Sequence, residues 1–209
     1  MPKRTTVYID GFNLYYGCLR KTRLKWLDPL ALVRLLLQRD HSVNRVRYFT
    51  ARVSGQAGDP KAPTRQQLYL RALQTLPEVD IHYGHFLTHP VMAKKVQGNP
   101  PYVEVFKTEE KGSDVNLASY MLMDGWRDDY DCAVVVSNDS DLLTPIQMVK
   151  REFGKTVGIL NPQKRASRAL VPEADFVKSI RVWALKASQF PDQLVDANGR
   201  RFHKPPEWR

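Results

Sequence analysis

Short apolar runs alternate along the chain with segments whose apolar side chains recur every three or four residues. Residues 6–9 predict a buried strand ending at Asp10-Gly11, and 12–19 predict the start of a helix. Asp28-Pro29 reads as a helix cap followed by proline at the first helical position, and the helix behind it carries Leu30, Val33, Leu36 and Leu37 on one face. A strand rich in Val, Tyr, Phe and Thr follows over 45–53, then a Gly/Pro loop over 54–63. An amphipathic helix is predicted over 64–76, with Leu68, Ala72 and Leu76 in register. Residues 79–87 and 102–106 are strand-like and joined by a polar, proline-bearing connection, which predicts a hairpin or flap. The helix over 114–126 is expected to face inward through Val115, Ala118, Met121 and Leu122. Residues 132–136 predict a central strand, followed by Ser137-Asn138-Asp139-Ser140-Asp141 and a helix over 142–153 closed by Gly154. Two further strands are expected over 156–160 and 176–180. Strands alternating with helices in this way predict an α/β domain with a mostly parallel sheet. The expected division is a domain over 1–187 and a tail over 188–209, rich in Pro, Gly and charge, either mobile or laid as an arm across the body.

Charge sharpens this picture. The 209 residues include 32 Lys and Arg against 22 Asp and Glu, a formal net charge of +10. Such a field favours polyanions, and nucleic acid is the commonest in the cytosol. The apolar run 133–136 is far shorter than the ~20 residues of a membrane helix, so no membrane partner is expected. The basic N-terminus leads into Val7-Tyr8-Ile9-Asp10 without the apolar core of a signal peptide. Two cysteines, Cys18 and Cys132, make no framework of disulfides or metal ligands, and a reducing cytoplasm is the expected compartment.

The candidate chemistry lies in carboxylates at strand ends. Asp10 follows the first strand, Asp139 and Asp141 follow the strand over 132–136, and Asp114 opens a helix behind Lys111-Gly112-Ser113. In open parallel sheets, sites form at the carboxyl ends of strands, so these acids are expected on one rim. Taken singly, Asp10-Gly11 reads as a turn and Asp114 as a helix cap; the joint placement is what points to a site. Clustered carboxylates repel, and a hard divalent cation with oxygen ligands, Mg²⁺ or Mn²⁺, relieves them. Such a metal can activate water and stabilise charge at a phosphodiester.

Three segments carry a family resemblance. Val7-Tyr8-Ile9-Asp10-Gly11-Phe12-Asn13-Leu14, Lys111-Gly112-Ser113-Asp114-Val115 and Val134-Val135-Val136-Ser137-Asn138-Asp139-Ser140-Asp141-Leu142 resemble, in order and spacing, the three motifs of the NYN domain, a branch of the PIN-like nucleases. The resemblance spans roughly 5–180, and the closing segment to Trp208 is similar to tails of bacterial, LabA-like members. It implies a three-layer α/β/α sandwich and metal-dependent cleavage of RNA; the leading reading is endonucleolytic cleavage of single-stranded RNA, with DNA left open, and PIN-like relatives commonly form homodimers. Carried over by motif, Asp10, Asp114 and Asp139 would be the core metal ligands and Asp141 a fourth acid, direct or through water, with Asn13 orienting substrate or a metal-bound water and Ser137 helping to hold the site. Asn138 stands where the family has glycine, and its tolerance of a left-handed backbone would preserve the turn.

Basic residues flank these motifs. Arg20, Lys21, Arg23 and Lys25 follow the first, and Lys164, Arg165 and Arg168 are expected in a loop at the same sheet edge; both groups suit phosphate contact. Tyr15 and Tyr16 are candidates for base stacking, and Lys107 and Lys111 for pairing with the acids or a phosphate. His82, His85 and His89 have no zinc spacing on a strand and read as structural, while Trp26, Trp126 and Trp183 read as core anchors. A haloacid-dehalogenase phosphatase would need Asp at position 12, where Phe12 stands, and a Toprim domain would need Glu in place of Asp10. The remaining alternative is an RNA-binding or regulatory module that keeps the fold without catalysis.

Overall fold

The computed structural model describes residues 1–37, 39–55 and 58–208, so part of the Gly/Pro loop expected over 54–63 and the last residue of the tail lie outside the described residues. Six parallel strands form one sheet: β1 (Lys3–Asp10), β2 (His41–Thr50), β3 (Val79–Tyr83), β6 (Cys132–Val136), β7 (Thr156–Asn161) and β8 (Phe176–Ser179). Their order is β3-β2-β1-β6-β7-β8. From β1 the chain winds outward through β2 and β3, and from β6 outward through β7 and β8. Strand order therefore reverses between β1 and β6, where Ile9 lies beside Val136. That reversal opens a crevice at the carboxyl ends of the two strands.

Side chains alternate across β1, and each face builds its own core. Val7 and Ile9 face a layer made by α2 (Pro29–Leu36), α3 (Ala62–Leu73) and α6 (Val182–Ala187). Tyr8 faces the opposite layer, made by α4 (Ser113–Trp126) and α5 (Leu143–Phe153). The result is the expected α/β sandwich of three layers. Local chemistry starts and stops the helices as read: Asp28 accepts from the Ala31 N–H at 2.9 Å ahead of Pro29, and Gly154 ends α5 at φ +63°.

Several element details differ from expectation. Strand β2 starts at His41 rather than 45, and the strand expected over 79–87 divides at Gly84. Before that glycine β3 joins the sheet; after it β4 (His85–Lys94) pairs antiparallel with β5 (Tyr102–Lys111) in a separate hairpin. His82 thus belongs to the sheet, stacked on Phe49 at 5.0 Å, while His85 and His89 belong to the hairpin. On α4, Leu117 and Met121 face inward, whereas Val115 is 69% exposed. Trp126 and Trp183 are surface residues, and only Trp26 of the three expected anchors is buried.

A polar residue accounts for the altered face of α4. Asp124 is buried on it, accepting from the Tyr8 hydroxyl at 2.8 Å and from Arg47 through Nε at 2.7 Å and Nη2 at 2.8 Å. Arg47 lies over the Tyr120 ring at 4.5 Å. This paired arrangement joins α4 to β1 and β2 across the layer that carries the crevice.

The tail folds back as an arm. Phe190, Phe202 and Trp208 surround the buried Trp26 at 5.8, 6.3 and 6.3 Å between rings. The Trp26 indole N–H donates to the Pro191 carbonyl at 2.8 Å, and Arg71 of α3 donates to Asp196 at 2.9 Å. A short hairpin of β9 (Gln193–Val195) and β10 (Arg201–His203) carries Phe202.

Candidate functional site

Asp10 and Asp139 stand at the ends of neighbouring strands, β1 and β6. Asp10 is buried, and its carboxylate accepts from the Asn13 N–H at 2.8 Å and from the Ser137 hydroxyl at 3.1 Å. The same hydroxyl accepts from the Asp139 N–H at 3.1 Å. Ser137, itself fully buried, thus joins the two acids. Asp139 in turn accepts from the Asp141 N–H at 3.0 Å and caps the 3-10 turn Ser140–Leu142. Gly11 is required here by close approach: a Cβ would lie 2.7 Å from the Phe49 carbonyl and 2.8 Å from the Tyr48 ring. The helix α1 (Gly11–Leu14) can therefore leave β1 only through glycine.

Asp114 reaches the rim from the start of α4. Helix capping does not occupy it: Gly112, at φ +95°, is the cap residue, and Glu110 accepts from the Ser113 N–H at 3.1 Å and hydroxyl at 2.8 Å. Burial, reinforced by Asp10, Asp139, Glu110 and Asp141, pushes the Asp114 carboxyl up to about 6. Burial also raises Asp10 above the ordinary carboxylate range, with Asp139 adding to the shift against hydrogen bonds that lower it. Glu110 is a fifth acid at the rim that the motifs do not announce. Its signal in the sequence is weak, a carboxylate three residues before Ser113.

Asn13 and Asn138 organise the loop beyond β7. The Asn138 N–H donates to Asn13 Oδ1 at 3.1 Å. The Asn138 side chain donates to Gln163 Oε1 at 3.3 Å and to the Arg165 carbonyl at 3.1 Å, and accepts from the Ser167 N–H at 2.7 Å. Asp128 is the one described non-glycine residue with positive φ, so left-handed backbone is not the reason for Asn138. Its amide holds the loop that presents Lys164, Arg165 and Arg168, all exposed, at the same edge as the acids. Arg20 ends the helical turn Tyr15–Leu19 that follows the first motif, and Arg20, Lys21 and Arg23 are exposed. Lys111 and Lys107 do not pair with the rim acids: both bind Glu109 of the hairpin, at 3.0 and 2.6 Å.

The acids therefore share a rim without being closed into a ligand set. Among the described residues, no three Asp, Glu, His or Cys side chains converge closely enough to enclose a cation. Asp10, Asp139 and Glu110 are fixed instead by hydrogen bonds from their own neighbourhoods. The donor chemistry still fits a hard divalent cation: the rim offers carboxylate oxygens, and their mutual repulsion is registered at Asp114.

A cavity of about 630 Å³ opens beside this rim. Gly11 and Phe12, directly after Asp10, form one side of it, and Tyr48 and Thr50 of β2 another. Arg65 and Tyr69 of α3 and Trp208 of the tail complete the wall. Of this lining, Tyr15, Tyr16, Arg20 and Lys25 are the substrate-binding candidates read from the sequence, and Gly11 and Phe12 belong to its first motif.

Comparison with known proteins agrees with this architecture. A crystal structure of a protein of unknown function from Vibrio parahaemolyticus superposes with a TM-score of 0.58 over 90% of this chain and 97% of that one, at 16% identity. The 6-hydroxy-3-succinoylpyridine 3-monooxygenase HspA of Pseudomonas putida is 32% identical over 196 residues, covering 80% of this chain. The chain spans 62% of that relative's length. The family model of the NYN domain matches residues 4–181, which include all three motifs, and the chain belongs to the NYN domain family, with its PIN-like α/β fold.

Proposed function

We propose that the protein is a metal-dependent ribonuclease that hydrolyses phosphodiester bonds within single-stranded RNA. NYN domains are a nuclease family, and the observation that carries the reading is the shared rim of Asp10, Asp139 and Asp114, with Ser137 bridging the first two. Asp10, Asp114, Asp139 and Asp141 would hold Mg²⁺ or Mn²⁺, which when bound activates water and neutralises charge on the phosphate. Asn13, whose backbone N–H binds Asp10 and whose side chain accepts from the Asn138 N–H, holds the ends of β1 and β6 together and orients the rim. Lys164, Arg165, Arg168, Arg20, Lys21 and Arg23 would guide the phosphate backbone toward the acids, as the net charge of +10 favours.

The test is cleavage of labelled single-stranded RNA with Mn²⁺, with Mg²⁺ and with EDTA, wild type beside Asp139→Asn. Cutting is expected with either metal and abolished in EDTA and in the variant, while the variant binds RNA as well as wild type or better. Wild-type cutting by Asp139→Asn would refute the assignment. RNA bound by both proteins and cut by neither would make the chain a binding module.

A second reading rests on the Pseudomonas relative, named for oxygenation of a pyridine, and on the ring-lined cavity, which suits an aromatic compound. Oxygen-dependent consumption of 6-hydroxy-3-succinoylpyridine, with a hydride donor supplied, would favour it over the nuclease.

A further inference from the structure

The cavity beside Asp10 has a composition that the acidic rim does not explain. Its volume, about 630 Å³, lies within the range of about 300–1,000 Å³ usual for sites that hold one small molecule. Aromatic rings gather at its mouth. Phe12 stacks on Tyr16 at 6.5 Å, and Tyr15 meets Tyr16 edge-on at 5.2 Å. Tyr16 is 61% exposed, so packing does not account for the ring.

The backbone is arranged to make this display. A π-helical turn, Tyr15–Leu19, continues α1, and the Arg20 N–H donates to the Tyr15 carbonyl at 2.7 Å. The wider turn brings Arg20 over the Tyr16 ring at 5.3 Å. Such turns recur at functional sites, because they offset side chains that a regular helix would place elsewhere.

Charge at the cavity is divided. Arg65 is satisfied by Asp59 and lies 3.9 Å from Glu207. Arg20 and Lys25 have no carboxylate partner among the described residues. Among the described residues, the Lys25 amine donates only to the Thr22 carbonyl, at 2.6 Å. Two cations next to the exposed Tyr16 ring and the half-buried Phe12 match a planar ring that carries an anionic group.

We propose that this cavity receives one nucleotide of the bound RNA strand, its base against Tyr16 and Phe12 and its phosphate at Arg20 and Lys25. The assignment of the ligand to an RNA strand rests on the nuclease reading, because Gly11 and Phe12 join the cavity directly to Asp10. Stacking accepts every base, so the pocket anchors the strand rather than reading its sequence.

The experiment is calorimetric titration of the whole protein, in EDTA, with each of the four ribonucleoside 5′-monophosphates, with a trinucleotide and with inorganic phosphate. Saturable binding of the mononucleotides is expected, with the four alike, the trinucleotide tighter and phosphate much weaker. Tyr16→Ala and Arg20→Ala should each weaken nucleotide binding by at least about fivefold. Both side chains are exposed, so an unchanged melting temperature will show that the variants are folded. No saturable binding with a Kd below about 10 mM, phosphate binding as tightly as nucleotide, or wild-type binding by both variants would each overturn the proposal. Turnover plays no part in this assay. Nucleotide binding without cleavage would refute the nuclease and leave the pocket standing, and metal-dependent cleavage with unaltered binding in both variants would refute the pocket alone.

Discussion

Asp114 is where burial and the neighbouring acids weigh together on one carboxyl. Its carboxyl is pushed up to about 6 by burial and by Asp10, Asp139, Glu110 and Asp141. The folded protein thus holds this proton more tightly than the unfolded chain does. Below about pH 4 both states are protonated and the group costs nothing. As pH rises from about 4 to 6 the folded state loses stability, and above 6 the whole cost is present. Asp114→Asn should therefore be more stable than wild type at pH 7–8, by about 1 kcal/mol after solvent screening of this half-buried group, and match it near pH 4. Melting curves at the two pH values decide this; a variant less stable at pH 8 would show that the carboxylate is held by favourable contacts. At the same scale, Asp10 is legible from its motif, whereas the reason for Gly11, the absence of room beside Phe49 and Tyr48, shows only in the fold. Glu110 is not legible, because a carboxylate within a run of charged hairpin residues looks like solvated surface.

Elements carry these residues to the rim, and Asn138 shows how. At the level of the family motif it replaces a glycine, which suggested backbone conformation as its role. In the fold its amide makes hydrogen bonds to Gln163, Arg165 and Ser167, and so couples the end of β6 to the basic loop after β7. Asn138→Gly should release that loop. RNA affinity is expected to fall severalfold with the metal requirement unchanged, and stability by about 1 kcal/mol. Filter binding at several salt concentrations tests this, and a wild-type affinity would mean that other contacts place the loop. The strands and helices themselves are largely readable from their periodicity. The inward face of α4 is not: Leu117 and Met121 continue into Asp124, a polar residue whose burial depends on Arg47 and Tyr8 from other elements. A pattern search reads Asp124 as solvent-facing and rotates the helix toward Val115.

Across the whole molecule, Phe190, Phe202 and Trp208 make the tail part of the core rather than an appendix to it. Trp26 is fully buried because Phe190, Phe202 and Trp208 close around it. Removing one buried aromatic side chain typically costs about 3–5 kcal/mol, a large part of the roughly 5–15 kcal/mol that stabilises a domain. A chain ending at Ala187 should consequently lose its cooperative thermal transition and its near-ultraviolet circular dichroism. A truncated protein that melts like the intact one would show that the arm merely rests on the body. The arm also closes the cavity through Glu207 and Trp208, so the distal end of the chain and its first motif share one wall.

Local sequence alone determined the elements, their parallel class and the acids at the ends of β1 and β6. These follow from short-range physics: hydrophobic period, cap residues and the motif spacing that places carboxylates just past strands. Tertiary structure alone decided which strand lies beside which, and hence that Ser137 bridges Asp10 and Asp139 and that Asp114 meets them with Glu110. It also decided that Asn138 holds a loop, that Val115 and Trp126 face solvent, and that rings and cations from α1, α3 and the tail enclose one cavity. These outcomes join residues far apart in the chain, and their energies come from desolvation and charge shared across elements, which no local window contains.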